Sequence, residues 1–385
     1  MPRRVLFPFV GDSVGGSHIS SVLLIKHLDR ARYEPIVLLQ QEGPLAKFLR
    51  GMGLDYQVSR LPALAGQQPS IVRILAAQMR SLPDMLRQLR IGAVDMIHTN
   101  DLRMHLTWSV AARSAGIPWV WHQRMLLSSS PLWHVLPLVA ETVVCISNAV
   151  RETLPSSAAT AAHVIYNPVD VEPEDNSPRY RAMVLEEFGC RPDTVLIGFV
   201  GNMTAQKRPL EFVSAAAALI RKTDLPVEFI LFGDNRGGQL EEVRQRAVAL
   251  GIESRVHFGG FRNPISPWIG AMDVLLAPGV GEGFGRTLIE AMSAGTAVVA
   301  ADSGGHRELI EHEKTGLLVA KDDRTALAGA ALRLIGDASF RQDVVQRAHV
   351  FVRTFTADQH ASQIMTVYED TLPHSKRLRV SEASS

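Results

Sequence analysis

The stretch Gly279–Ala301, GVGEGFGRTLIEAMSAGTAVVAA, decides how the chain is read. Ahead of it Asp273–Pro278, DVLLAP, is a short apolar run that reads as a buried strand. Glycines then fall at Gly279, Gly281, Gly283 and Gly285, Thr287–Ala294 has the pattern of a helix, and Gly295 sits where a helix stops. Thr296–Ala301 reads as the following strand. A strand, a pliant loop, a helix and a strand place unpaired helix amides beside backbone that a ligand can approach closely, which suits an anion. Glu282 lies in the glycine loop and Glu290 in the helix. A carboxylate there would repel a phosphate, so both are assigned to hydroxyls, as on a ribose or a sugar. The plainer alternative makes them a loop charge and a solvated helix residue. The pairing of the two with a lysine upstream argues against it.

That lysine is Lys207, in the loop Gly201–Pro209, GNMTAQKRP, between a strand at Val195–Val200 and a helix from Leu210 to Lys222. A strand, glycine, loop, lysine and helix in that order raise the expectation of a phosphate, because the lysine adds a charge where amides already favour an anion. Val227–Phe232 and Val256–Gly259 read as further strands and Gln239–Leu250 as a helix. Gly304 and Gly305 precede another helix, Gly316–Val319 is the last strand, and the rest is helical.

The N-terminal half has the same rhythm. Arg4–Val10 is a strand, GDSVGGS at Gly11–Ser17 is a loop, His18–Asp29 is a helix and Tyr33–Leu39 is a strand, the alternation of a parallel sheet. Gly15, Gly16 and His18 lie at the mouth of the first loop, where ligands of open α/β sheets bind. The pattern is not the G-x-G-x-x-G dinucleotide fingerprint. Met96–Asn100, Trp119–His122 and Thr142–Ser147 read as strands, Leu106–Gly116 and Asn148–Leu154 as helices. His122 sits at a strand exit, with a structural role and a ligand role evenly weighed. Asn167–Tyr180, NPVDVEPEDNSPRY, holds three prolines and four acids and reads as a linker.

The chain of 385 residues, 46% apolar and 21% charged, is large enough for two domains and ordinary for a globular enzyme. The net charge of +1 conceals a +6 segment over residues 1–165 and a −5 remainder. Two cysteines, Cys145 and Cys190, make no disulfide framework and point to a reducing compartment. MPRRVLFPFVGDS is too short an apolar run for a signal peptide, and no stretch reaches the roughly 18 apolar residues of a membrane span. Residues 66–93 carry apolar residues at helical spacing with Arg73, Arg80, Arg87 and Arg90 along the line, as one helix or a pair bent at Pro83. A solvated face is the common fate of such a run. The functional alternative is contact with anionic lipid headgroups or an anionic acceptor.

On these residues the C-terminal half resembles the retaining glycosyltransferases of the GT-B fold, glycosyltransferase family 4. The resemblance rests on Gly201 with Lys207, Phe258–Phe261, the EGFGRTLIEAMSAGTAVVA run of Glu282–Ala300, Gly304-Gly305, Glu308 and Thr315–Val319. The N-terminal half is similar through Gly15-Gly16, His122, Val144–Asn148 and Ile165–Asp170, so the likeness runs to about Tyr368. It implies an α/β fold of two Rossmann-like, doubly wound domains facing across a cleft. The expected division is 1–166 as the acceptor-side domain, 167–180 as linker and 181–356 as the nucleotide-sugar domain. Residues 357–372 would be a helix packing back on the first domain, and 373–385 a polar tail.

The resemblance implies a hexosyltransferase using a nucleoside-diphosphate sugar. Glu290 would bind the ribose and Glu282 would face the donor sugar. Gly283, Phe284 and Gly285 would offer backbone amides, with Arg286 beside them. Lys207 would neutralise the diphosphate, Gly15 and Gly16 would admit it, and His122 would touch the sugar. Asn202 stands where the family usually has arginine as a second phosphate cation, so either Lys207 works with weaker help, Arg208 or another arginine substitutes, or donor turnover is poor. Asn167-Pro168 stands where Asn-Gly is common. No D-x-D occurs, so neither metal nor other cofactor is expected. A glycan, lipid-linked or small-molecule acceptor, a cytoplasmic location with peripheral contact to anionic membrane, and no nucleic acid complete the expectation. Its rivals are a non-catalytic sugar-nucleotide-binding subunit and, further off, a sugar-nucleotide epimerase.

Overall fold

Runs of valine, isoleucine, leucine and phenylalanine between loops build two all-parallel sheets in the computed structural model, which describes residues 1–59, 71–128, 131–169 and 177–372. The strands are apolar along their length because helices cover both faces of such sheets. The chain divides into two units, residues 1–168 with 357–385, and residues 169–356, so it passes from one to the other twice.

The first unit holds β1 (Arg3–Phe9), β2 (Tyr33–Leu39), β3 (Gln57–Val58), β4 (Met96–Thr99), β5 (Trp119–Gln123), β6 (Thr142–Cys145) and β7 (His163–Val164). Their order is β3-β2-β1-β4-β5-β6-β7, with Phe7 opposite Val37 and Val5 opposite Met96. The order reverses between β1 and β4, which is where open α/β sheets hold their ligands. Phe7, Phe9, Leu24, Val37 and Leu39 form the core, joined by Ile364, Val367 and Tyr368 from the helix Ala357–Thr371. That helix lies against the helix Gly16–His27.

The second unit holds β8 (Val195–Val200), β9 (Val227–Phe232), β10 (Val256–Gly260), β11 (Val274–Ala277), β12 (Ala297–Ala301) and β13 (Leu317–Val319), in the order β10-β9-β8-β11-β12-β13. Val274 is opposite Ile197 on one side and Ala297 on the other. Its reversal falls between β8 and β11. The core is Phe199, Phe212, Phe229, Leu231, Leu276 and Val299, with Leu327, Ala331 and Leu334 from the helix Arg324–Gly336.

Some boundaries differ from the sequence pattern for identifiable reasons. The helix placed at Leu106–Gly116 starts at Leu102, because the Asp101 carboxylate accepts from the Met104 amide and caps it. Residues 71–91 form one helix that runs through Pro83 rather than a bent pair. The helix Pro44–Gly51 has a buried Leu45, Ala46 and Leu49 but too few turns for a periodic signal. Of the segment read as linker, 170–176 lie outside the described residues, and Ser177–Tyr180 begin the helix Ser177–Glu187. Arg181 of this helix donates to the Ala271 carbonyl, the Asp273 carboxylate and the Thr194 carbonyl, which ties it to the second unit.

Candidate functional site

Strand order makes neighbours of two loops far apart in sequence. The loop after β8 carries Lys207 and the loop after β11 carries Glu282, at the reversal point of the second sheet. Lys207 Nζ lies 2.7 Å from Glu282 Oε1. Glu282 is only 8% exposed, so its charge is compensated by this contact rather than by water. Room for the lysine stem comes from Gly201, where a Cβ would stand 3.1 Å from Lys207 Cδ.

The glycine loop is held in place by three side chains that the sequence reading passed over. Gln206 Nε2 donates to the Gly281 carbonyl at 2.7 Å, and the Gly281 amide donates to Ser303 Oγ at 3.1 Å. His306 is buried, with Nδ1 3.0 Å from the Ala301 carbonyl, and its ring edge borders Gly285. Burial pushes the His306 ring below the usual imidazole range, with Lys207 acting the same way and Glu282 opposing. The Gly304-Gly305 pair was noted in the sequence, and its role is packing. At Gly304 φ is +54°, and a Cβ would lie 2.3 Å from the Glu282 carbonyl oxygen. Only glycine lets the loop after β12 press against the backbone of Glu282.

The helix Arg286–Ser293 follows Gly285, whose φ is +104°. Leu288, Ile289, Ala291 and Met292 turn into the unit. On its other side Glu290 Oε1 sits 2.7 Å from Arg286 Nε, one turn away. Phe284 is buried against Phe355, 6.2 Å between ring centroids, so the backbone of Gly283–Gly285 is anchored by an aromatic contact. Asn202 is half-buried at the start of the lysine loop. Arg208 is not brought to Lys207; its guanidinium pairs with Asp322 beyond β13.

In the first unit, Gly15 caps the helix Gly16–His27 and its amide donates to His18 Nδ1 at 3.2 Å. Its φ of −149° suits any residue, and an added Cβ would meet nothing nearer than that nitrogen, at 3.9 Å. Packing inside the unit therefore does not demand glycine at 15. Gly16 is exposed. Across the reversal point Arg103 grips Asp12 with two hydrogen bonds of 2.6 and 3.0 Å, and this contact holds the Asp12 carboxyl below its usual range.

His122, at the end of β5 as the pattern predicts, has no exposed surface. The chain continues from β5 into Arg124, and His98 from β4 and His360 from the helix Ala357–Thr371 close over the imidazole, with the Tyr368 hydroxyl 2.5 Å from His98 Nδ1 behind them. His98 Nε2 is 3.1 Å and Arg124 Nη2 3.3 Å from His122 Nδ1. Burial, then the Arg124 charge, hold His122 well below the usual imidazole range.

A cavity of about 510 Å³ lies elsewhere in the first unit, lined by Leu38, Val58, Arg87, Gln88 and Ile91 among others. Arg80, Arg87, Arg90, Met79 and Ile91 are exposed on the helix Ile71–Ile91; the Arg73 side chain lies outside the described residues. Among the described residues no helix is long and apolar enough to cross a membrane, and no three His, Cys, Asp or Glu are grouped to hold a metal ion.

Two doubly wound parallel units, with a lysine, a buried glutamate and a glycine turn at one reversal point, define a GT-B type two-domain α/β protein. Residues 14–173 match Glycosyltransferase Family 4 and residues 194–337 match Glycosyl transferases group 1, and the chain belongs to this glycosyltransferase family. It is 29% identical over 344 residues to the lipopolysaccharide core biosynthesis mannosyltransferase LpsB of Rhizobium meliloti, covering 80% of this chain and 95% of that one. It is 29% identical over 249 residues to the D-inositol 3-phosphate glycosyltransferase of Jonesia denitrificans, covering 61% of this chain and 58% of that one. The match to the N-acetyl-alpha-D-glucosaminyl L-malate synthase of Bacillus anthracis, 29% identical, takes in 51% of this chain and 50% of that one. The chain thus spans 58% and 50% of the length of these last two relatives. Among solved structures, Anabaena HepE in complex with UDP-glucose superposes with a TM-score of 0.81 at 24% identity, over 95% of this chain and 99% of that one. A glycosyltransferase of Rickettsia africae superposes with a TM-score of 0.83 at 17% identity, over 97% and 99%.

Proposed function

We propose that this protein moves a hexose-type sugar from a nucleoside-diphosphate sugar to a glycan or lipid-linked acceptor, with retention of configuration and without a metal. The observation that carries this reading is the ion pair of Lys207 and Glu282 at the reversal point of the second sheet. Cleaving a glycosyl phosphate puts negative charge on the departing diphosphate and positive charge on the sugar ring. Lys207 would meet the first, with the amides of Gly283–Gly285 beside it, and Glu282 would face the sugar. Glu290, aligned by Arg286, would take the ribose hydroxyls. In the first unit, Gly15 and Gly16 are assigned to the diphosphate and His122 to the sugar.

Retention follows if the acceptor oxygen attacks the face that the phosphate leaves. The acceptor proton then passes to a leaving phosphate oxygen, and no enzyme base is required. Arg208 is engaged by Asp322 and Asn202 is uncharged, so Lys207 carries the cationic work in the second unit. The acceptor class draws on the relative named for lipopolysaccharide core biosynthesis. The exposed Arg80, Arg87 and Arg90, interleaved with Met79 and Ile91, suit an anionic lipid surface. Release of free nucleoside diphosphate from a panel of sugar nucleotides, with EDTA present, tests the reading. No release by the wild type would leave a binding subunit in its place.

A further inference from the structure

The cavity of about 510 Å³ in the first unit has an apolar floor and a polar roof. Strand alternation sends Val5, Phe7, Val37 and Leu39 into the core shared with the helix Ala357–Thr371, and Leu6, Ile36 and Leu38 to the opposite face of the sheet, where they line the cavity. β3 has two residues and pairs with Leu38 and Leu39, so among the described residues no strand flanks Ile36 on that side. The roof is the helix Ile71–Ile91, which turns Asp84, Arg87, Gln88 and Ile91 to the floor. Three of these four are polar, and packing them down on the apolar strands would bury them without partners. That mismatch keeps the space open.

Strand register gives the cavity its length. Arg4 at one end lies opposite Glu34, and Val58 at the other lies opposite Leu39, five residues apart along β2 or about 17 Å. The volume spread over that length leaves a mean cross-section of about 30 Å², the proportions of a slot for one extended chain. The rim is charged. Arg4 is engaged, its guanidinium donating to the Gly92 carbonyl at 2.5 Å and to the Glu34 carboxylate at 3.2 Å. Arg87 is exposed, and among the described residues no carboxylate pairs with it. Asp84 also lines the cavity, but Arg80 and Arg87 stand one turn from it on either side and Arg90 follows, so the net charge there is positive. Val58 and Ile91, 45% and 72% exposed, bring apolar surface to the same rim.

We propose that this cavity seats one lipid molecule with an extended hydrocarbon chain and an anionic head, the chain on Leu6, Ile36 and Leu38 and the head at Arg87. Contact with a bilayer surface asks only for exposed charge, whereas an apolar floor beneath the arginine asks for a chain as well. The volume is that of small-molecule sites, which are mainly apolar with a few polar groups that fix orientation. A free phosphate would leave the floor empty, and a neutral lipid would leave Arg87 unmet. The inference does not depend on the donor reaction.

Calorimetric titration of the full chain with dodecyl phosphate, below the concentration at which it forms micelles, tests the seat. One molecule is expected to bind per chain, and decyl and octyl phosphate should bind more weakly by roughly fourfold for each methylene removed. Inorganic phosphate and dodecyl maltoside should each bind more weakly by about tenfold or more. Gln88→Trp fills the slot from its roof and should lower the affinity for dodecyl phosphate by about tenfold with no fall in melting temperature. If that variant does not fold, Val58→Trp at the rim takes its place. Arg87→Glu should weaken dodecyl phosphate and leave dodecyl maltoside unchanged. No saturable binding by wild type overturns the proposal, as does a folded Gln88→Trp that binds like wild type. Inorganic phosphate binding as well as dodecyl phosphate would reduce the site to an anion contact. Dodecyl maltoside binding as well would remove the head from Arg87. Either result overturns the seat.

Discussion

Lys207 and Glu282 are 75 residues apart in sequence and 2.7 Å apart in space, one on each side of the point where the second sheet reverses its strand order. The mutual contact keeps a lysine and a nearly buried carboxylate compensated before any ligand arrives. A bound diphosphate would give the lysine a second anion to serve.

Lys207→Ala is expected to lower kcat by about 10²–10³-fold, the scale for losing one preorganised group that meets developing charge. Release of nucleoside diphosphate at saturating donor measures it, and circular dichroism checks that the fold persists. A kcat within twofold of wild type would remove Lys207 from the leaving-group role.

Glu290→Ala is expected to act on affinity. A charge-assisted hydrogen bond contributes about 1.5–3 kcal/mol, so the dissociation constant for the nucleoside diphosphate should rise by roughly 10–150-fold. Calorimetric titration of the diphosphate reads this directly. Unchanged affinity would mean that Glu290 serves only Arg286.

A thermal-shift panel of UDP, GDP and ADP with their sugars, run with and without EDTA, should show one nucleotide class raising the melting temperature. At a concentration 100 times the dissociation constant the added stability is about 2.7 kcal/mol. A rise that EDTA abolishes would contradict metal-free binding.

Stability should fall as pH drops from 7 toward 5. His360 protonates in the folded state only near pH 3, with burial as the main cause and Arg124 next, whereas an unfolded histidine protonates near 6.5. Between those values the unfolded chain binds more protons, so each such ring adds up to about 1.4 kcal/mol of lost stability per pH unit. Denaturant unfolding at pH 7, 6 and 5 should give a steep slope that His360→Asn reduces by about one proton. An unchanged slope would place the acid sensitivity elsewhere.

Charge reversal of Arg80, Arg87 and Arg90 to glutamate should cut sedimentation with vesicles rich in anionic lipid, and added salt should mimic the effect on wild type. Equal sedimentation of variant and wild type would leave the exposed arginines as a solvated face.

The legible part of the site was local. Glu282, Glu290 and the glycines stand within one strand–loop–helix stretch, where spacing and residue type carry the information. Lys207 was legible as a loop lysine before a helix, but its contact with Glu282 depends on β11 lying beside β8, and no periodicity encodes strand order. Arg208 next to Lys207 looked like a second cation. Its pairing with Asp322 required knowing where the residue after β13 arrives. A structural and a ligand role weighed evenly for His122 because its position at a strand end says nothing of what covers it, and the covering residues come from Met96–Thr99 and Ala357–Thr371. His306 gave a faint signal, since the residue after Gly304-Gly305 has to lie close to the loop those glycines admit.

The double passage of the chain between its units has a consequence for how the protein is made. The first unit draws Ile364, Val367 and Tyr368 into its core, yet residues 169–356 are synthesised before those side chains exist. On the ribosome the N-terminal sheet must therefore wait, with an apolar face uncovered, while the second unit is translated and folds ahead of it. The later-born unit can close its core first, and the earlier one is sealed only once the helix Ala357–Thr371 has emerged.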